Sequence, residues 1–197
     1  MTVLPTSSEP PVSYANAAVT MGVLVAALWL LELVDMLTLG SLDTWGVSPR
    51  QLDELPQIYT AWALHFGWGH LIGNTVPLFV LGFLILLGGV RRFVASAFAA
   101  ITGSGLFAWL LSAPGTVTAG ASGLVFGWLT YLLARGIFGR NLAQIAVAVV
   151  VFALYGGVLW GVLPGHPGIS WQGHLGGALA GVLAAWWMHS LPAVRAR

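Results

Sequence analysis

The chain contains no cysteine, which excludes disulfide bonds and thiol catalysis and says little about compartment. Lysine is absent as well: all seven basic residues are arginine. Charge of either sign is scarce, 7% of 197 residues, and a net charge of +1 gives no footing for nucleic acid. Acidic residues stop early in the chain, at Glu9, Glu32, Asp35, Asp43, Asp53 and Glu54. No basic region precedes the first apolar stretch, so no cleavable signal peptide is expected. There is no His-Glu-x-x-His pattern and no acid placed to serve as base beside His65, His70 and His174. A zinc site on those imidazoles is therefore disfavoured, and no metal or other cofactor is expected.

What the chain has in abundance is apolar surface. It is 58% hydrophobic with a mean hydropathy of +0.89, which describes a multi-span membrane protein and not a soluble domain. Runs able to cross a bilayer are Ala18 to Leu37, His70 to Gly89, Phe93 to Ala113, Gly120 to Ala134, Ala143 to Leu163 and His174 to Leu191. The expected architecture is an all-α bundle of six transmembrane helices over residues 15–191. Residues 1–14, with Pro5, Pro10 and Pro11, are expected as a flexible tail, and 192–197 as a C-terminal tail.

Arginine placement orients the bundle. Arg91 and Arg92 follow helix two, Arg135 and Arg140 follow helix four, and Arg195 and Arg197 follow helix six, which puts them all on one side; only Arg50 falls on the other. The positive-inside rule then makes both termini cytoplasmic. Helices two, four and six all start on the outer side, and their first residues carry His70 and Asn74, Ser122, and His174. Polar side chains within a membrane are costly and tend to mark function.

Helix four is the short one. From Gly120 to Ala134 it spans roughly 22 Å at about 1.5 Å per residue, against a bilayer core of about 30 Å. With Arg135 at the aqueous end, Ser122 lies below the opposite surface. Its N–H would be among the unpaired donors of a helix N-terminus, where negative charge is favoured. The preceding Pro114-to-Ala119 stretch must be buried in protein or line a wet cavity. The bland alternative is a small-residue packing contact through Gly120, Ser122 and Gly123.

The connection Ser41 to Gly69 is rich in aromatic residues and reads as an amphipathic element in the outer interface. Ser48-Pro49-Arg50-Gln51 has capping-box form and predicts a short helix ended by Pro56. Trp45, Trp62 and Trp68 suit the headgroup region. Thr102 to Gly105 give helix three a small-residue face. Ile145 to Val151 make helix five lipid-facing, and Gly156-Gly157 offer a bend. Gly177-x-x-x-Gly181 brings helix six close to a neighbour, drawing His174 towards helix four.

A serine hydroxyl becomes nucleophilic when an imidazole takes its proton. His174 is the base chosen here, and Phe126, one turn after Ser122, offers its ring a surface to stack on. The Ser122 N–H, the Asn74 amide and His70 are candidates to hold an oxyanion; His70 and Asn74, four apart, share a helix face. With no carboxylate at hand, a Ser/His dyad with slow turnover is expected, Asp35 as a third member being the alternative. His65 and His189 read as interfacial polar residues, and His166 as part of an exposed turn.

These residues resemble the rhomboid intramembrane serine proteases from about Gly46 to Gly181. The pattern runs His65-Phe66-Gly67-Trp68-Gly69-His70-Leu71-Ile72-Gly73-Asn74, then Gly120-Ala121-Ser122-Gly123, then Gly173-His174-Leu175-Gly176-Gly177 with Gly181. The resemblance implies a rhomboid-type six-helix fold with a short central fourth helix. It implies Ser122 as nucleophile, His174 as general base, His70 and Asn74 around the oxyanion, and Gly120, Phe126, Gly177 and Gly181 in support. It also implies a water-accessible cavity, lateral substrate access near helix five, and cleavage of single-pass membrane proteins within or beside their transmembrane helix. A bacterial cell membrane is the expected location. Many members carry a Trp-Arg pair in the first loop, where this chain has Pro56-Gln57, which puts that loop's anchoring in question. Two rivals stand beside this reading. One is an inactive relative that binds membrane clients. The other is a small transporter, which would show internal repeats; none is evident here.

Overall fold

A computed structural model describes residues 12–165 and 168–190; the expected tails up to residue 11 and from 191 onward, and His166, lie outside the described residues. The described chain forms six α-helices: α1 (Tyr14–Leu37), α2 (Trp68–Leu86), α3 (Val90–Leu111), α4 (Ser122–Gly139), α5 (Leu142–Tyr155) and α6 (Trp171–Ser190). Four are long and apolar enough to cross a membrane by length and composition: α1, α2, α3, and α5 with its 3₁₀ continuation to Val162. The remaining two are α4, which lies at the centre of the bundle, and α6, which carries small and polar residues along its contact with α4.

α1 starts at Tyr14, ahead of the expected Ala18, because the Ser13 hydroxyl accepts the Asn16 N–H at 3.2 Å and caps the helix. Tyr14 is thus helical and not part of a tail. α2 contains Pro77, which cannot donate to the carbonyl of Gly73, one turn earlier. Gly73 lines the cavity described below.

α4 is the hub, packing against α2, α3, α5 and α6. Its buried side chains include Leu124, Phe126, Trp128, Leu129, Tyr131 and Leu132. Its limits differ from the apolar run at both ends. It opens at Ser122, since Gly120 has φ +128° and stands outside the helix. It continues through Arg135 to Gly139 and ends where Arg140 turns left-handed at φ 48°. Arg135 is therefore not the last residue of the helix. Its guanidinium packs over Gly88, where an added methyl would lie 2.9 Å from Nη1. At 18 residues the helix still falls below the about 20 that usually span.

Helices α4 and α6 meet along glycines. A methyl on Gly177 would run into the carbonyl of Gly123, and one on Gly181 into that of Gly127. Thr130 Oγ1 reinforces the seam by donating to the Ala178 carbonyl at 2.7 Å. α5 is the opposite case: Val149, Val150 and Phe152 are exposed and only Val151 is buried, as expected of a lipid-facing helix. At Gly156 it tightens into a 3₁₀ segment through Val162.

The connection between α1 and α2 departs from its expected form. Ser48 to Gln51 is a turn, closed by Gln51 N–H to Ser48 carbonyl at 3.5 Å, with Arg50 at φ +62°. A left-handed residue there forbids the expected helix. Pro56 does not terminate a helix but lies in the first turn of the 3₁₀ segment Leu55–Tyr59, where its missing N–H is harmless. Arg50 Nη1 donates to the carbonyls of Leu110 and Ser112, both at 2.9 Å, anchoring the loop to the end of α3. Trp45 is exposed, whereas Trp62 and Trp68 pack against the core, Trp68 at 5.5 Å from Trp29.

Gly177→Ala should force α4 and α6 apart and lower stability by roughly 1–3 kcal/mol. Gly22→Ala, where the new methyl meets nothing within 4 Å, should stay within about 0.5 kcal/mol. Thermal unfolding in detergent compares the two.

Candidate functional site

The site begins with an irregular segment that the first loop holds in place through an isolated bridge between Val47 and Thr118. Val47 and Thr118 exchange backbone hydrogen bonds of 2.8 and 3.0 Å, and the Gly120 N–H donates to the Ala61 carbonyl at 2.8 Å. The Ala121 N–H donates to His65 Nε2 at 3.3 Å. Irregular backbone inside a membrane must find such partners within the protein. At Gly120 the positive φ is matched by close approach: an added methyl would be 2.7 Å from His70 Nε2. The segment then turns into α4, so Ser122 stands in the first helical turn with a backbone N–H that has no intrahelical acceptor.

Ser122 Oγ and His174 Nε2 are 2.8 Å apart, although 52 positions separate them in sequence. Phe126 stacks on the imidazole with centroids 4.1 Å apart and planes 11° from parallel. His174 Nδ1 lies 2.9 Å from the carbonyl oxygen of Gly161. Both residues line a cavity of about 860 Å³ that also includes His70, Gly73, Asn74, Thr118 and Ser170. That volume falls in the range of ligand sites, about 300–1,000 Å³. No charged side chain is among its lining residues. Asn74 is buried, and its Nδ2 has no partner among the described residues, leaving an amide donor at the cavity wall.

The structure thus gathers Ser122, His174, His70 and Asn74 around one space, with Phe126 stacked on His174 and Gly177 and Gly181 on the seam between α4 and α6. It does not bring Asp35 there. Asp35 Oδ1 accepts the Leu42 N–H at 2.7 Å and sits among acids, where burial and then the charges of Asp35 and Glu32 push the Asp43 carboxyl up to about 6. His65 and His70 meet edge to face at 5.1 Å, while His174 faces Ser122.

His65 is the residue that sequence reasoning placed wrongly. It is not an interfacial polar group: only 1% of its surface is exposed, and it holds the residue before Ser122. Its place just after the apolar, tryptophan-containing stretch Ala61 to Leu64 gave no sign of that bond, which joins positions 56 apart.

A serine and a histidine from two helices, facing a neutral cavity inside an apolar six-helix bundle, define a class of intramembrane protein. The chain matches the Rhomboid domain model over residues 52–191, and it belongs to the rhomboid family. It is 47% identical over 182 residues to the uncharacterized protein Rv1337 of Mycobacterium tuberculosis, a match covering 88% of this chain and 75% of that protein. It is also 48% identical over 177 residues to the uncharacterized protein ML1171 of Mycobacterium leprae, covering 85% and 70%.

The His65 ring carries a pH dependence. Burial, and next the charge of His70, depress its pKa from 6.5 to about 4, against a smaller opposing contribution from the Ala63 backbone. The folded state therefore favours neutral His65, and the stabilisation present above pH 6.5 should be lost as pH falls towards 4. The loss reaches about 3 kcal/mol at the folded value. Unfolding temperatures measured between pH 7.5 and 4 should show this fall, and His65→Gln should flatten it.

Proposed function

We propose that the protein is an intramembrane serine endopeptidase that cleaves single-pass, membrane-anchored proteins within or next to their transmembrane segment. The observation that carries this reading is the 2.8 Å approach of Ser122 Oγ to His174 Nε2 at the wall of a cavity. In this reading both termini are cytoplasmic, the bundle sits in the bacterial cell membrane, and substrate comes from the surrounding lipid bilayer.

The chemistry follows from the groups present. Ser122 Oγ attacks the scissile carbonyl carbon as its proton passes to His174 Nε2, and the carbonyl π electrons move to oxygen. The resulting oxyanion is met by the Ser122 N–H at the positive end of α4, by Asn74 Nδ2, and by His70. An otherwise unpartnered buried amide on Asn74 suits a charge that exists only in the transition state. Collapse breaks the C–N bond as His174 returns the proton to the leaving amine. Water then attacks the acyl carbon as its proton passes to His174, and collapse breaks the ester C–O bond while His174 returns that proton to Ser122 Oγ, releasing the new carboxyl terminus and restoring the dyad. Phe126 keeps the imidazole plane in place throughout.

Cleavage of a model single-pass substrate by the purified protein in liposomes tests this reading. Ser122→Ala and His174→Ala should each abolish cleavage with folding intact, and Asn74→Ala should lower kcat roughly 100- to 1,000-fold. Undiminished cleavage by Ser122→Ala would remove the nucleophile from this scheme. Absence of both cleavage and Ser122-dependent fluorophosphonate labelling would leave the client-binding alternative.

A further inference from the structure

A neutral imidazole acts as base at Nε2 only when its proton resides on Nδ1, and in serine hydrolases a carboxylate commonly holds it there. No acidic residue follows Glu54, and Asp35 is engaged with the Leu42 N–H. What faces His174 Nδ1 is the Gly161 carbonyl, at 2.9 Å. A carbonyl oxygen can only accept, so Nδ1 must carry the proton, which leaves the Nε2 lone pair directed at Ser122 Oγ.

We propose that Gly161 is a positioning residue for the serine endopeptidase chemistry: its carbonyl takes the place of the missing carboxylate and sets the tautomer of His174. The inference rests on the function proposed above. Three features of the structure support it. First, the close approach requires glycine, since a methyl at position 161 would lie 2.9 Å from Phe126 Cζ and 3.3 Å from His174 Nδ1. Second, the ring is thereby held on its face by Phe126 and at its edge by Gly161. Third, the acceptor rides on a lightly held element. The 3₁₀ segment Gly156–Val162 has no buried residue, and α5 before it has one. An element with so little buried surface can shift while the bundle stays folded.

A consequence follows for catalysis. When the segment moves away from α6, His174 loses the acceptor that fixes its proton, so Ser122 becomes less reactive even as the site opens. Reactivity is greatest with the segment docked. A neutral carbonyl also stabilises the imidazolium less than a carboxylate would, in keeping with slow turnover.

The test uses full-length protein in detergent, a fluorophosphonate probe for Ser122, and ¹⁵N NMR of His174. Gly161→Ala displaces the segment, and Gly157→Ala, whose methyl meets nothing within 4 Å, is the control on the same segment. In a third protein the α-hydroxy analogue of Val162 converts the Gly161–Val162 amide to an ester, weakening the carbonyl as an acceptor without adding bulk. Labelling should slow roughly tenfold to a hundredfold in Gly161→Ala and in the ester protein and stay at the wild-type rate in Gly157→Ala. The His174 resonances should pass from the Nδ1-protonated form in the wild type to a mixture of tautomers. Wild-type labelling rates in both altered proteins, or an Nε2-protonated His174 in the wild type, would overturn the proposal. If wild type itself does not label at Ser122, the endopeptidase reading fails, while the NMR comparison still decides whether Gly161 sets the tautomer.

Discussion

The bundle depends on two helix backbones that touch directly, the carbonyl oxygens of one resting against the glycines of the other. Gly177 and Gly181 on α6 face Gly123 and Gly127 on α4 with no room for a methyl group. Lipid offers no hydrophobic drive for helices to associate, so this packing and its interhelical hydrogen bonds must supply it. Ser122 is the residue before one glycine of the seam, and His174 lies three before another. The same seam that joins the helices therefore sets the separation of hydroxyl and imidazole.

A second constraint acts on the irregular segment before Ser122. Its backbone groups lie where lipid cannot satisfy them, and the first loop does so through Val47, Ala61 and His65. That loop is in turn fastened to α3 by Arg50, whose guanidinium reaches two carbonyls at the helix end. The loop is thus part of the site's foundation. It supplies the anchoring that the absence of a Trp-Arg pair at Pro56-Gln57 had put in question.

Against this rigid side stands a loosely held one. α4 buries most of its length among its neighbours, whereas α5 and the 3₁₀ segment after it are largely exposed to the surroundings. The serine is fixed by the first side, and one hydrogen bond of the histidine ring comes from the second. The site is assembled from parts of unequal burial.

The sequence by itself determined the membrane bundle, its six helices and the convergence of His70, Asn74, Ser122 and His174, because these follow from apolar run length and from where polar residues interrupt it. Phe126 was legible for the same reason, being one helical turn from Ser122. Tertiary structure alone decided the rest. The extension of α4 past Arg135 depends on a guanidinium finding space over Gly88, and the turn at Ser48 depends on Arg50 reaching α3. The contacts of His65 with Ala121 and of His174 with Gly161 are hydrogen bonds to backbone atoms of distant segments. Every residue has a backbone N–H or carbonyl except for proline's missing donor, so side-chain identity does not mark which of them will be used. Only the packed fold selects them.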